Sequence, residues 1–125
     1  MELFLRDNDL TDWIELESGV SLKIAYPTYE QEKEISSKFV DCISTDIEVT
    51  SKPYVDYYSL LVRYCVKDWK GISDLRTKEP IPCKVVNNEL ATDLMAALIR
   101  DPLLIADWGG RIKTKIDFTE TDKKK

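Results

Sequence analysis

The chain has 125 residues, 43% of them apolar and 33% charged, with a net charge of −5 and no histidine. That length fits one domain with a single core, and no apolar run approaches the ~20 residues needed to cross a bilayer. The missing imidazole removes the commonest general base and metal ligand.

Charge is unevenly placed: residues 1–60 carry 13 acidic and 5 basic side chains, residues 61–125 carry 10 and 13. An acidic front half repels phosphate backbones, and the basic half has no dense Lys/Arg patch among aromatics, so no nucleic-acid partner is expected. Three cysteines, Cys42, Cys65 and Cys83, are far apart and set among apolar neighbours. An odd count without C-x-x-C spacing predicts buried reduced thiols rather than disulfides or a zinc site. The start, MELFLRDND, has no basic region, apolar core or cleavage site, which predicts a protein kept in the cytoplasm.

Residues 2–5 are too short to assign. Asp12–Leu16 and Val20–Tyr26 alternate apolar and polar residues around Glu17-Ser18-Gly19, which predicts an antiparallel hairpin. Trp13 falls on the face opposite Ile14 and Leu16, so one of those faces is left for an edge or a partner. Thr28 and Gln31 have capping-box spacing and open a helix running to about Ile43. Ser44–Lys52 reads as a polar linker.

Pro53 then sits in the first turn of a central helix with Ser51 as its N-cap. Its polar residues Asp56, Ser59, Arg63 and Lys67 make one narrow stripe, and Gly71 predicts that it stops near Asp68. Ile72–Val86 contains two prolines and reads as an extended excursion with a turn, anchored by Ile72, Leu75, Ile81, Val85 and Val86. Asn87 or Asn88 caps a third helix, and Asp101-Pro102 starts a fourth. In that last helix Ile105, Trp108, Ile112 and Ile116 form an amphipathic face. Gly109-Gly110 within it predicts a kink or a close backbone approach.

The predicted architecture is a single α+β domain over residues 1–119: an N-terminal β-hairpin and about four helices around the central one. Residues 120–125 read as a charged, disordered tail. The chain lacks a phosphate loop, a nucleophile elbow, a zinc-binding helix motif and a calcium loop. No catalytic residue, metal ligand or cofactor-binding residue is therefore assigned, and no enzyme activity, cofactor or membrane association is expected.

Leu60–Asp74 (LLVRYCVKDWKGISD), then Glu79–Pro82 (EPIP), then a Leu-rich helix and Asp101-Pro102, resembles the tail assembly chaperones of long-tailed bacteriophages over residues ~55–105. Leu75-Arg76-Thr77-Lys78 stands where that pattern usually carries Asp-Gly before the prolines. The resemblance implies a non-enzymatic chaperone in the host cytoplasm that binds the tape-measure protein, aids tail-tube assembly, and leaves the finished particle. The tail-tube protein is then a second partner, and self-association remains open. A structural virion component, head–tail or tail-tube-associated, is the alternative.

Holding an amphipathic helix requires exposed apolar surface. The candidate partner-binding residues are Trp13 on the hairpin and Trp108, Ile112, Ile116 and Phe118 on the last helix. Val66, Asp68, Trp69, Gly71 and Ile72 are expected to define the fold.

Overall fold

A computed structural model describes residues 11–16, 19–43 and 51–123, with the side chains of residues 11, 43 and 117–123 outside the description. Strands β1 (Thr11–Glu15) and β2 (Ser21–Ala25) precede helices α1 (Tyr29–Ile43) and α2 (Lys52–Cys65). Then come β3 (Val66–Lys70), the short strands β4 (Val85–Val86) and β5 (Glu89–Leu90), and helices α3 (Thr92–Ile99) and α4 (Pro102–Lys123). The α+β class and the four helices are as the sequence predicts.

The hairpin forms as expected and gains a third strand. The sheet order is β1-β2-β3, antiparallel throughout. Opposite residues share a face, so the pairings Ile14↔Leu22 and Leu22↔Trp69 align one inward row. Leu22, Ile24, Val66 and Trp69 are all buried there.

The predicted extension of the central helix to Asp68 is corrected here. Helix α2 ends at Cys65 and the chain passes directly into β3: Val66, the C-cap of α2 and first residue of β3, already has extended φ and ψ of −74° and 124°. The reason is tertiary: Val66 and Trp69 are three apart, and the register irregularity where Lys23 pairs Asp68 but Ile24 pairs Val66 brings both onto the buried face of the sheet. As a strand it buries Val66 and Trp69 and pairs its backbone with β2. The Asp68 carboxylate accepts the Trp69 N–H at 2.8 Å.

The third helix also starts later than predicted. Asn87 and Asn88 have φ of 52° and 65°, the left-handed pair of a two-residue hairpin turn joining β4 to β5. Their short polar side chains tolerate that conformation, so they turn a hairpin instead of capping a helix. Of the predicted excursion anchors, Ile72 and Ile81 pack on the core, whereas Leu75, Val85 and Val86 are exposed.

Helix starts are legible in the side chains. Thr28 and Gln31 form the reciprocal capping box, Thr28 N–H to Gln31 Oε1 at 3.0 Å and Gln31 N–H to Thr28 Oγ1 at 3.2 Å. Asp101 caps α4 by accepting the Leu104 N–H at 3.2 Å. Ser51 precedes α2 without a side-chain cap, and Pro53 lies in its first turn.

Helix α2 is the hub, packed chiefly against α4 and α1. Val62 and Cys65 on α2 and Ile105 and Ile112 on α4 are fully buried. Cys42 and Cys65 are buried free thiols, and Cys83 is a partly buried one whose pKa burial and nearby Asp68 push up to about 11.

The two adjacent glycines of α4 have opposite environments. A Cβ on Gly109 would lie 2.6 Å from Tyr58 of α2, while one on Gly110 would meet nothing within 4 Å. Gly109→Ala is therefore expected to destabilise the fold by about 1–3 kcal/mol through overpacking. Gly110→Ala should stabilise it by roughly 0.5–1 kcal/mol through helix propensity. Urea midpoints of the two variants check both signs at once.

Candidate docking surface

The amphipathic face of α4 points inward. Trp108 is 4% exposed and Ile112 is fully buried, so both are core residues and are withdrawn as partner-binding candidates. Their spacing is the signature of a buried helix face as much as of an offered one, and α2 is what covers it. Ile116 packs partly buried against the same core. The side chain of Phe118 lies outside the described residues. Among the candidates whose side chains are described, Trp13 is the exposed one, 36% exposed, on the outer face of the sheet with the Lys70 ammonium 4.5 Å from its ring centroid.

Burying one stripe of α4 turns its neighbouring stripe toward β1, because residues four apart stack on one side of a helix. Ala106, Gly110 and Thr114 lie there, with Asp107, Arg111 and Lys115 beside them. With Ile14 and Glu15 of β1 they line an open groove of about 690 Å³. Ile14, Ala106 and Gly110 supply an apolar floor, and the charged side chains form the rim.

Asp12 ties the strand to the helix. Its carboxylate accepts Lys115 Nζ at 2.8 Å and the N–H of Trp13 at 2.8 Å. The Lys115 hydrogen bond first, and the Trp13 N–H second, hold the Asp12 carboxyl below the usual carboxylate range. Asp107 is engaged by Arg111 at 3.0 Å. Among the described residues no strand pairs with the outer edge of β1.

A smaller cleft of about 190 Å³ lies between α1, α2 and α4, floored by Ile35, Tyr57, Leu61 and Ile116. Phe39 and Lys113 stand at its mouth, the ammonium 5.6 Å from the ring centroid.

On another side of α2 a polar network fixes the β4–β5 hairpin. Arg63 pairs with Glu89 at 2.7 Å, and Lys67 donates to both the carbonyl and the side chain of Asn88 at 3.0 and 2.8 Å. Gln31 of α1 donates to the same carbonyl at 3.1 Å. The Tyr64 hydroxyl donates to the Glu34 carboxylate.

Burial, and then the Glu34 carboxylate, push the Tyr64 pKa from 10.0 up to about 12. A raised tyrosine favours the neutral form in the folded state. Its contribution is therefore complete below the unfolded pKa and disappears as pH rises from 10 toward 12. Tyr64→Phe should flatten that alkaline loss, measured by thermal midpoints across this window; an equally steep loss in the variant would contradict the assignment.

Among the described residues, no group of three or more Cys, Asp or Glu side chains is arranged to hold a metal ion, and no helix is long and apolar enough to cross a membrane. The arrangement presents surface: a groove, an exposed tryptophan and, among the described residues, an unpaired β1 edge. No family model, no curated protein and no solved structure matches the chain.

Sequence reasoning missed the groove because it needs two elements far apart in the chain. The clue present was the alternative α4 stripe, Ala106, Gly110 and Thr114, whose small side chains leave room beside the helix.

Proposed function

We propose that the chain is a non-enzymatic tail assembly chaperone of a long-tailed bacteriophage, acting in the host cytoplasm by covering an amphipathic segment of the tape-measure protein. The observation that carries this reading is the open groove between β1 and α4, with its apolar floor of Ile14, Ala106 and Gly110. A partner helix would lay aliphatic side chains on that floor and polar ones at the charged rim, which is helix-in-groove recognition.

The segment that carries the resemblance supports the reading from inside the fold. Val66 and Trp69 are buried, Ile72 packs on the core, and Gly71 adopts φ of 85° where a Cβ would overlap the carbonyl of Gly19. Those residues build the framework and leave the surface for binding.

Co-expression with the tape-measure protein tests the proposal. The chain is expected to keep that protein soluble and to co-purify with it. Gly110→Arg, at a position with open space for a side chain, should lose capture while keeping its thermal midpoint. An insoluble tape-measure protein beside the native chain, or undiminished capture by Gly110→Arg, would overturn it.

A further inference from the structure

The excursion after β3 ends in a tightly held turn. The Asp74 carboxylate accepts the N–H groups of Arg76 and Thr77 at 2.8 and 3.0 Å. The backbone closes with Asp74 N–H to Glu79 O at 2.8 Å and Lys78 N–H to Asp74 O at 2.9 Å. Ser73 bridges Pro80 at its base. This turn holds Leu75 out to solvent at 83% exposure, with exposed Arg76 and Lys78 beside it.

An isolated exposed leucine needs no explanation. A leucine fixed on a hydrogen-bonded turn, with Arg76 and Lys78 following it, is a preorganised knob, because little conformational entropy remains to be lost on docking.

The groove between β1 and α4 has the complementary chemistry. Its floor is apolar, and its rim carries three acidic groups near two basic ones once Asp12 is included. Asp107 is engaged by Arg111 and Asp12 by Lys115. Glu15, exposed on β1, is the rim carboxylate left without a partner among the described residues.

We propose that the Leu75 turn of one copy docks in the β1–α4 groove of a second copy, with Leu75 on the apolar floor and Arg76 or Lys78 on Glu15. Within one chain the turn lines no part of the groove, and it leaves from β3, the sheet edge opposite β1. The contact is therefore heterologous: each docked pair still offers one knob and one groove, so assembly continues to a ring or an open chain. The surface buried is small, which places the association in the weak class. Self-assembly and capture of another protein would then compete for one groove.

Sedimentation velocity of the full chain alone, over roughly 10 µM to 1 mM as a weak interface requires, tests this without any tape-measure protein. The mass is expected to rise with concentration past the dimer. Leu75→Glu and Gly110→Arg should each remain monomeric, and circular dichroism melts should show both folded. Mixed together, they should form a 1:1 dimer and nothing larger, since one keeps its groove and the other its knob. If Gly110→Arg melts early, Glu15→Arg takes its place in the mixture. A native chain that stays monomeric, assembly that survives Leu75→Glu, or a mixture that stays monomeric would overturn the proposal. Leu75→Glu leaves the groove intact, so its tape-measure capture should be undiminished, and the two proposals can fail separately.

Discussion

Trp69→Ala is expected to cost about 3–5 kcal/mol of folding stability, the range for emptying a buried large aromatic site. Trp69 is 7% exposed, and its ring meets Trp108 of α4 edge-on with centroids 6.3 Å apart. Its indole N–H donates to the carbonyl of Ile81 at 2.7 Å. One side chain thus joins the sheet, the last helix and the excursion. Truncation opens a cavity among all three and leaves a carbonyl to find a new donor.

Trp69→Phe separates the contributions, since it keeps an aromatic ring in the site and removes only the donor and part of the volume. It should fall well short of the alanine variant. Denaturant unfolding of both variants is the measurement; a loss below about 1 kcal/mol for alanine would contradict the core role.

That residue also shows how far the sequence could be read. Its burial was legible, because a tryptophan between apolar segments of a small domain has few other places to go. Its secondary structure was not. Val66-Lys67-Asp68-Trp69-Lys70 follows an apolar helical run without a glycine or proline between them, so helical periodicity extends naturally over it. The strand wins because β2 has a free edge and β3 can both bury two side chains and fill a backbone ladder. That is a tertiary gain, which local propensity does not register.

Asn87-Asn88 failed differently. Asparagine is favoured both as a helix N-cap and at left-handed turn positions, and only the flanking pairs, Val85-Val86 and Glu89-Leu90, distinguish the two. By contrast, Thr28/Gln31 and Asp101-Pro102 were legible because capping is satisfied within three residues. The candidate site was the least legible part. A single amphipathic stripe on α4 cannot say whether its cover is α2 or another protein, and here α2 takes it.

Ile112→Asp tests that last point and is expected to have the largest effect of any single change considered. Ile112 is fully buried in the α4 face turned toward the core. An ionised carboxylate placed there without a partner costs several kcal/mol, and the lost aliphatic packing adds about 2 kcal/mol or more. Together these approach the ~5–15 kcal/mol that holds a domain of this kind folded. The variant should therefore be largely unfolded at neutral pH.

Burial would raise the carboxyl pKa of the folded variant above its unfolded value. The folded state then binds the proton more readily than the unfolded one, so stability should recover in part as pH falls toward 5 and be lost again as pH rises. Ile112→Val, which keeps the site apolar, should cost only about 0.5–1.5 kcal/mol. Circular dichroism melts of both variants at pH 5 and pH 8 read these outcomes. An Ile112→Asp chain with a native midpoint at pH 8 would return this stripe to the surface, whereas unfolding at pH 8 with partial recovery at pH 5 would place it in the core and leave docking to the β1–α4 groove.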